Sequence, residues 1–110
     1  MDRPVASGES AARYAEIAAD LARRAGVQAS SMFGMPTLKL DGRALAGLYG
    51  DAMVFKLDGA LHGEAMALPG AYAFDPSGMG RPMKAWVVVP LDRAEDWARL
   101  AERTLAAPGD

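Results

Sequence analysis

Residues 37–59 read TLKLDGRALAGLYGDAMVFKLDG, and three turn pairs cut this stretch into strands. Asp41-Gly42 is a two-residue hairpin signal, because the favoured turn needs a left-handed backbone at both central positions. Before it, Leu38 and Leu40 alternate with Thr37 and Lys39. Arg43 to Tyr49 forms the return strand, Gly50-Asp51 makes the next turn, and Ala52 to Leu57 alternates Met53, Phe55 and Leu57 with Val54 and Lys56. Asp58-Gly59 ends that strand. Three strands joined by tight turns make an antiparallel meander with one face under a helix.

Upstream, Tyr14, Ile17, Ala18, Leu21 and Ala25 fall on one stripe of a helix from about Glu9 to Ala25. Ser7 or Ser10 caps its start, Gly26 stands at the left-handed C-terminal position, and Arg23 and Arg24 complement the helix dipole. Downstream, residues 60–68 form a short helix stopped by Pro69-Gly70, and Ala71 to Phe74 is extended. Residues 75–82 hold two Pro and two Gly and read as a loop. Met83 to Val89, with Trp86 and three consecutive Val, reads as a central strand buried on both faces.

Pro90 closes that strand, and Asp92 with Glu95 resembles a capping box for a last helix. Trp97, Leu100, Ala101, Thr104 and Leu105 form its inner stripe, with Glu95 and Arg99 at i,i+4 outside. The fold class is α+β, a two-layer sandwich of a mainly antiparallel sheet with helices on one face, in the order α-β-β-β-α-β(β)-α. At 110 residues this is one domain, 1–110, with 1–8 and 107–110 frayed.

Composition narrows the chemistry. The formal net charge is −2, against the basic excess that phosphate neutralisation demands, so nucleic acid is disfavoured as a partner unless a basic face is locally assembled. There is no cysteine, which removes disulfides, thiolate zinc sites and Cys nucleophiles. No signal peptide and no transmembrane run are evident, so the expectation is a cytoplasmic protein without membrane attachment.

Candidate catalytic groups are few. His62 is the only histidine, and Glu64 lies two residues on rather than at metal-ligand helix spacing. Ser77 lies outside any nucleophile elbow. Asp41, Asp51, Asp58 and Asp75 stand at turns, where Asp bonds its own backbone. Gly78-Met79-Gly80-Arg81 lacks the strand and helix that a dinucleotide cradle requires. The seven Met residues read as soft core filler, with Met79 and Met83 as a surface pair. One constellation remains: Phe74, Asp75, Arg81, Pro82, Lys84 and Trp86. Lys84 and Trp86 share one face by alternation, which makes either a binding groove or a filled core with a lysine at its margin.

Met32-Phe33-Gly34, Leu48-Tyr49, Val54-Phe55-Lys56-Leu57, Gly80-Arg81-Pro82-Met83 and Trp86 to Pro90, in that order and spacing, resemble the TfoX N-terminal-domain family. The resemblance runs from about Met32 to Pro90. It implies a two-layer fold similar to secretion chaperones and related to YjbR-like proteins. The named members are regulators of natural competence in bacteria. They carry a second domain of helix-hairpin-helix character, and residues 1–110 correspond to the first domain alone, so a competence role is not part of the expectation.

The resemblance supplies no catalytic residues, metal ligands or cofactor. Together with the thin catalytic inventory it implies a stand-alone, non-enzymatic interaction or regulatory domain, a homodimer through a sheet edge or a helix face. The expected binding residues are Phe33, Lys56, Phe74, Asp75, Arg81, Lys84 and Trp86. Two alternatives stand beside it. One is a small-molecule-binding domain or enzyme with Arg81 or Lys84 on an anionic group; the other is weak nucleic-acid binding through Lys39, Lys56, Arg81 and Lys84.

Overall fold

A computed structural model of the chain describes residues 8–32, 34–75, 80 and 83–106. Helix α1 (Gly8–Ala25) precedes strands β1 (Gln28–Met32), β2 (Met35–Leu40), β3 (Arg43–Tyr49) and β4 (Ala52–Lys56). Helix α2 (Gly59–Met66), strands β5 (Tyr72–Phe74) and β6 (Met83–Val89), a 3-10 segment (Leu91–Asp96) and helix α3 (Trp97–Ala106) follow. The six strands form one antiparallel sheet in the order β1-β2-β3-β4-β6-β5. The α+β class and the helices packed on the sheet are as the sequence predicts, with β1 as an additional strand ahead of the meander.

Local chemistry accounts for most boundaries. Asp41 and Gly42 both take positive φ, 53° and 80°, as the tight β2–β3 hairpin requires. Gly26, at φ 75°, ends α1, and its N–H donates to the Ala22 carbonyl at 3.1 Å. Ser10 is not a cap: it lies inside α1, and its hydroxyl donates to the Asp51 carboxylate at 2.9 Å, tying the helix to the β3–β4 turn. Ser7 lies outside the described residues.

The last helix begins later than the sequence suggests. Residues 91–96 are 3-10, and Arg93 sits at φ −112°, ψ 26°, so Asp92 and Glu95 do not form a capping box. Glu95 consequently meets Arg93, while Arg99 reaches Asp96 and Glu64. Pro90 and the buried Ala94 set this approach, and Trp97 locks it by donating its indole N–H to the Val89 carbonyl at 3.1 Å.

Helices cover one face of the sheet. The main core gathers Leu21 from α1, Leu38, Leu48, Met53, Phe55, Val87 and Val89 from the strands, and Trp97, Leu100 and Ala101 from α3. The predicted α1 stripe of Tyr14, Ile17, Ala18 and Ala25 packs against its margin. A second cluster holds Met35, Val54, Phe74, Trp86 and Val88, with Met32, Ala44, Tyr49, Ala52 and Met83 around them. Every described member of this second cluster is a strand residue, so it lies on the face away from the helices.

A bulge in β3 decides which side chains reach that face. Leu38 pairs with Ala46 but Lys39 pairs with Ala44, leaving Leu45 as the extra residue. Leu45 and Ala46 therefore both join the helix-covered core, and the alternation beyond them is reset. Leu48 points to the helices, whereas Gly47 and Tyr49 fall on the helix-free face. Gly47 lies opposite Thr37. A Cβ there would meet Met35 Cε and the Pro36 carbonyl oxygen, each at 2.9 Å.

Two predictions follow from this packing. Gly47→Ala forces Met35 and the β2 backbone aside and costs about 1–3 kcal/mol, the usual range for overpacking, in urea denaturation. Burial pushes the Tyr14 hydroxyl up to about 12. The fold thus favours the neutral phenol, and this contribution is complete below the unfolded value near 10 and lost as pH rises from there through about 12. Tyr14→Phe reduces the alkaline slope of stability between about pH 10 and 12, read by denaturation at stepped pH.

Candidate functional site

The helix-free face draws one or more positions from every strand. By alternation it takes Gln28, Ser30 and Met32 from β1, then Met35, Thr37 and Lys39 from β2. Ala44, Gly47 and Tyr49 follow from β3, and Ala52, Val54 and Lys56 from β4. Trp86 and Val88 of β6 stand opposite Lys56 and Val54, and Tyr72 of β5 stands opposite Val88.

Among the described residues, the apolar centre of this face is packed by strand side chains. Phe74 has no exposed surface and meets Tyr49 edge-on, with ring centroids 5.1 Å apart and planes at 71°. Trp86 is 6% exposed, and Val54 and Val88 are fully buried. Thr37, the one polar residue within this region, is fully buried and donates its hydroxyl to the Met35 carbonyl at 3.2 Å. Tyr72 is different: at 51% exposed it is the large side chain that this face offers to solvent. Its hydroxyl is shifted upward, first by partial burial and then by Tyr49 close by.

Charge is sorted between the layers. The six strands carry Lys39, Arg43, Lys56 and Lys84, and none contains Asp or Glu. The ion pairs among the described residues all lie on the helical layer: Arg13 with Glu9, Arg23 and Arg24 with Asp20, Arg24 with Glu102, Arg93 with Glu95, and Arg99 with Glu64 and Asp96. Paired with two carboxylates, the Arg24 guanidinium is held more firmly protonated. Lys39 and Lys56 make no ion pair with a described residue. β2 and β4 run parallel, each antiparallel to β3, so these two lysines stand at the same end of the same face.

The residues expected from sequence divide into three groups. Phe74, Trp86 and Lys56 do come together, the first two inside the second cluster and Lys56 exposed beside Trp86 in the register. Asp75 accepts the Gly80 N–H at 3.0 Å, as a turn carboxylate does, and the rest of the segment read as a loop, 76–79 and 81–82, lies outside the described residues. Phe33, Arg81 and Pro82 lie outside the described residues. The Lys84 backbone belongs to β6, two positions before Trp86, and its side chain is likewise outside them.

Sequence reading missed Tyr49, Tyr72 and Gly47 as parts of this surface. Tyr72 was legible only as a residue of a short extended segment, and the bulge that places Tyr49 has no sequence signature. His62 is half-buried on α2. No three His, Asp or Glu side chains cluster as a metal site among the described residues. No described helix is long and apolar enough to cross a membrane. No family model, curated protein or solved structure matches the chain.

The geometry separates a structural aromatic from a surface one. Phe74→Ala removes a fully buried ring and costs about 3–5 kcal/mol, whereas Tyr72→Ala costs less than about 1.5 kcal/mol, both read by urea denaturation.

Proposed function

We propose that this chain is a non-enzymatic interaction domain that docks an acidic segment of a protein partner on the helix-free face of its sheet. The observation that carries this reading is the segregation of charge. Lys39 and Lys56 share an acid-free face without a carboxylate partner among the described residues, while Arg13, Arg23, Arg24, Arg93 and Arg99 of the helical layer are paired within it and Arg103 is the described helical arginine that is not. Cations left unpaired beside an apolar, aromatic surface suit a partner of opposite charge that brings its own apolar anchors.

A protein segment fits better than a nucleic acid. The formal net charge is −2, so a long polyanion meets repulsion from the rest of the molecule, whereas a short acidic segment need only meet the local field. A buried small-molecule site is also less favoured, because Phe74 and Trp86 pack into the cluster whose volume a pocket would have to occupy. The resemblance of residues 32–90 to the TfoX N-terminal-domain family agrees with a binding role and adds no catalytic group.

Amide shift mapping by NMR with an acidic peptide, and with a single-stranded oligonucleotide of equal charge as comparison, tests this reading. The peptide is expected to shift β2 and β4 amides around Lys39 and Lys56. The Lys39→Gln/Lys56→Gln double variant, which keeps the fold by circular dichroism, weakens peptide binding about tenfold or more, equivalent to about 1.4 kcal/mol. Shifts confined to the helices, or unchanged affinity in the double variant, contradict the proposal. Tighter binding of the oligonucleotide transfers the surface to the nucleic-acid reading.

A further inference from the structure

The two edges of the sheet differ in how they are protected. β5 has three residues, carries a register shift between Ala73 and Phe74, and is followed by Asp75. Short length, irregular pairing and an adjacent charge are the usual means of blocking strand addition. β1 has none of them. Its five residues, Gln28-Ala29-Ser30-Ser31-Met32, include no charge and no proline, pair with β2 in unbroken register, and are exposed from Gln28 through Ser31.

Pro36 reveals which backbone groups face outward. Ser31 lies opposite Pro36, which has no N–H to donate, so this is a non-hydrogen-bonded pair of the β1–β2 ladder. Alternation makes Gln28↔Lys39, Ser30↔Thr37 and Met32↔Met35 the hydrogen-bonded pairs. The N–H and C=O groups of Ala29 and Ser31 therefore point away from β2, along the open edge.

We propose that β1 pairs antiparallel with β1 of a second copy of this chain, about a two-fold axis at Ser30, joining the two sheets into one. In that register Ala29 stands opposite the partner's Ser31, and Ser31 opposite the partner's Ala29. Both are pairs of outward-facing amides, and each exchanges two N–H···O bonds. Ser30 meets its own copy across the axis, and no charge opposes a like charge. A second copy suits this edge better than a foreign peptide. Strand addition takes its specificity from pockets for alternate side chains, and the exposed Ala29, Ser30 and Ser31 offer none. The axis runs perpendicular to the sheet, so both helix-free faces lie on the same side of the dimer.

The contact is of the small, transient class, so concentration is the decisive variable. Sedimentation equilibrium of the full chain from about 10 μM to about 1 mM is expected to show the mass rising from 11.6 kDa towards twice that value. Ser31→Pro removes an outward donor while leaving the β1–β2 ladder bonds in place. Ala29→Lys sets like charges near one another across the axis at an exposed site, and it decides the question if the proline variant fails to fold. Either folded variant should remain at 11.6 kDa throughout this range, at least tenfold weaker in association than the parent. Lys39→Gln/Lys56→Gln should dimerise as the parent does, which keeps this test separate from the acidic-partner reading. A parent chain that stays monomeric at about 1 mM, or a dimer that persists in folded Ala29→Lys, overturns the proposal.

Discussion

Trp86, Val87, Val88 and Val89 are buried in succession, and alternation sends two of them to each side of the sheet. That two-sided burial is the constraint from which the rest of the structure follows. A strand apolar on both faces needs both faces kept from water. On one side three helices do this, with Trp97 fixed to the Val89 carbonyl as the central contact. On the other side no described helix contributes, and among the described residues it is strand rings and methionines that bury the apolar surface.

That second solution explains several otherwise unrelated choices. Gly47 leaves the room that Met35 occupies, Phe74 lies edge-on against Tyr49, and Thr37 satisfies its hydroxyl on the backbone two residues away. The β3 bulge makes this arrangement possible, since unbroken alternation from Ala44 through Leu45 onward would put Leu48 on the helix-free face and Tyr49 under the helices. The result is a face apolar at its centre and basic at one end, while the described acidic residues are confined to helices, turns and loops.

Much of this was legible in the sequence, and the parts that were not have identifiable reasons. The hairpin at Asp41-Gly42, the α1 stripe, and β6 as a strand buried on both sides all follow from local signals strong enough to survive tertiary packing. β1 escaped notice because Gln-Ala-Ser-Ser-Met has neither alternation nor β-branched residues; pairing with β2 makes it a strand. Asp92 and Glu95 had the spacing of a capping box, but the turn from Pro90 into Trp97 tightened to 3-10 geometry. At the candidate site, Phe74 and Trp86 were grouped in one constellation and do pack in one cluster, whereas Lys56 was named outside it, through the family resemblance, and its place opposite Trp86 follows from the register. Whether the two rings faced solvent depended on the strand register, which composition and periodicity do not encode.

The central claim is that the helix-free face packs against itself. Nuclear Overhauser contacts of the Trp86 indole and the Phe74 ring measure this most directly. The account predicts contacts from both rings to the methyl groups of Val54, Val88 and Met35, together with a Phe74–Tyr49 ring contact and none to α1, α2 or α3. Contacts from Trp86 or Phe74 to a helix side chain would contradict it, because the face would then have a covering layer and could not serve as an open recognition surface.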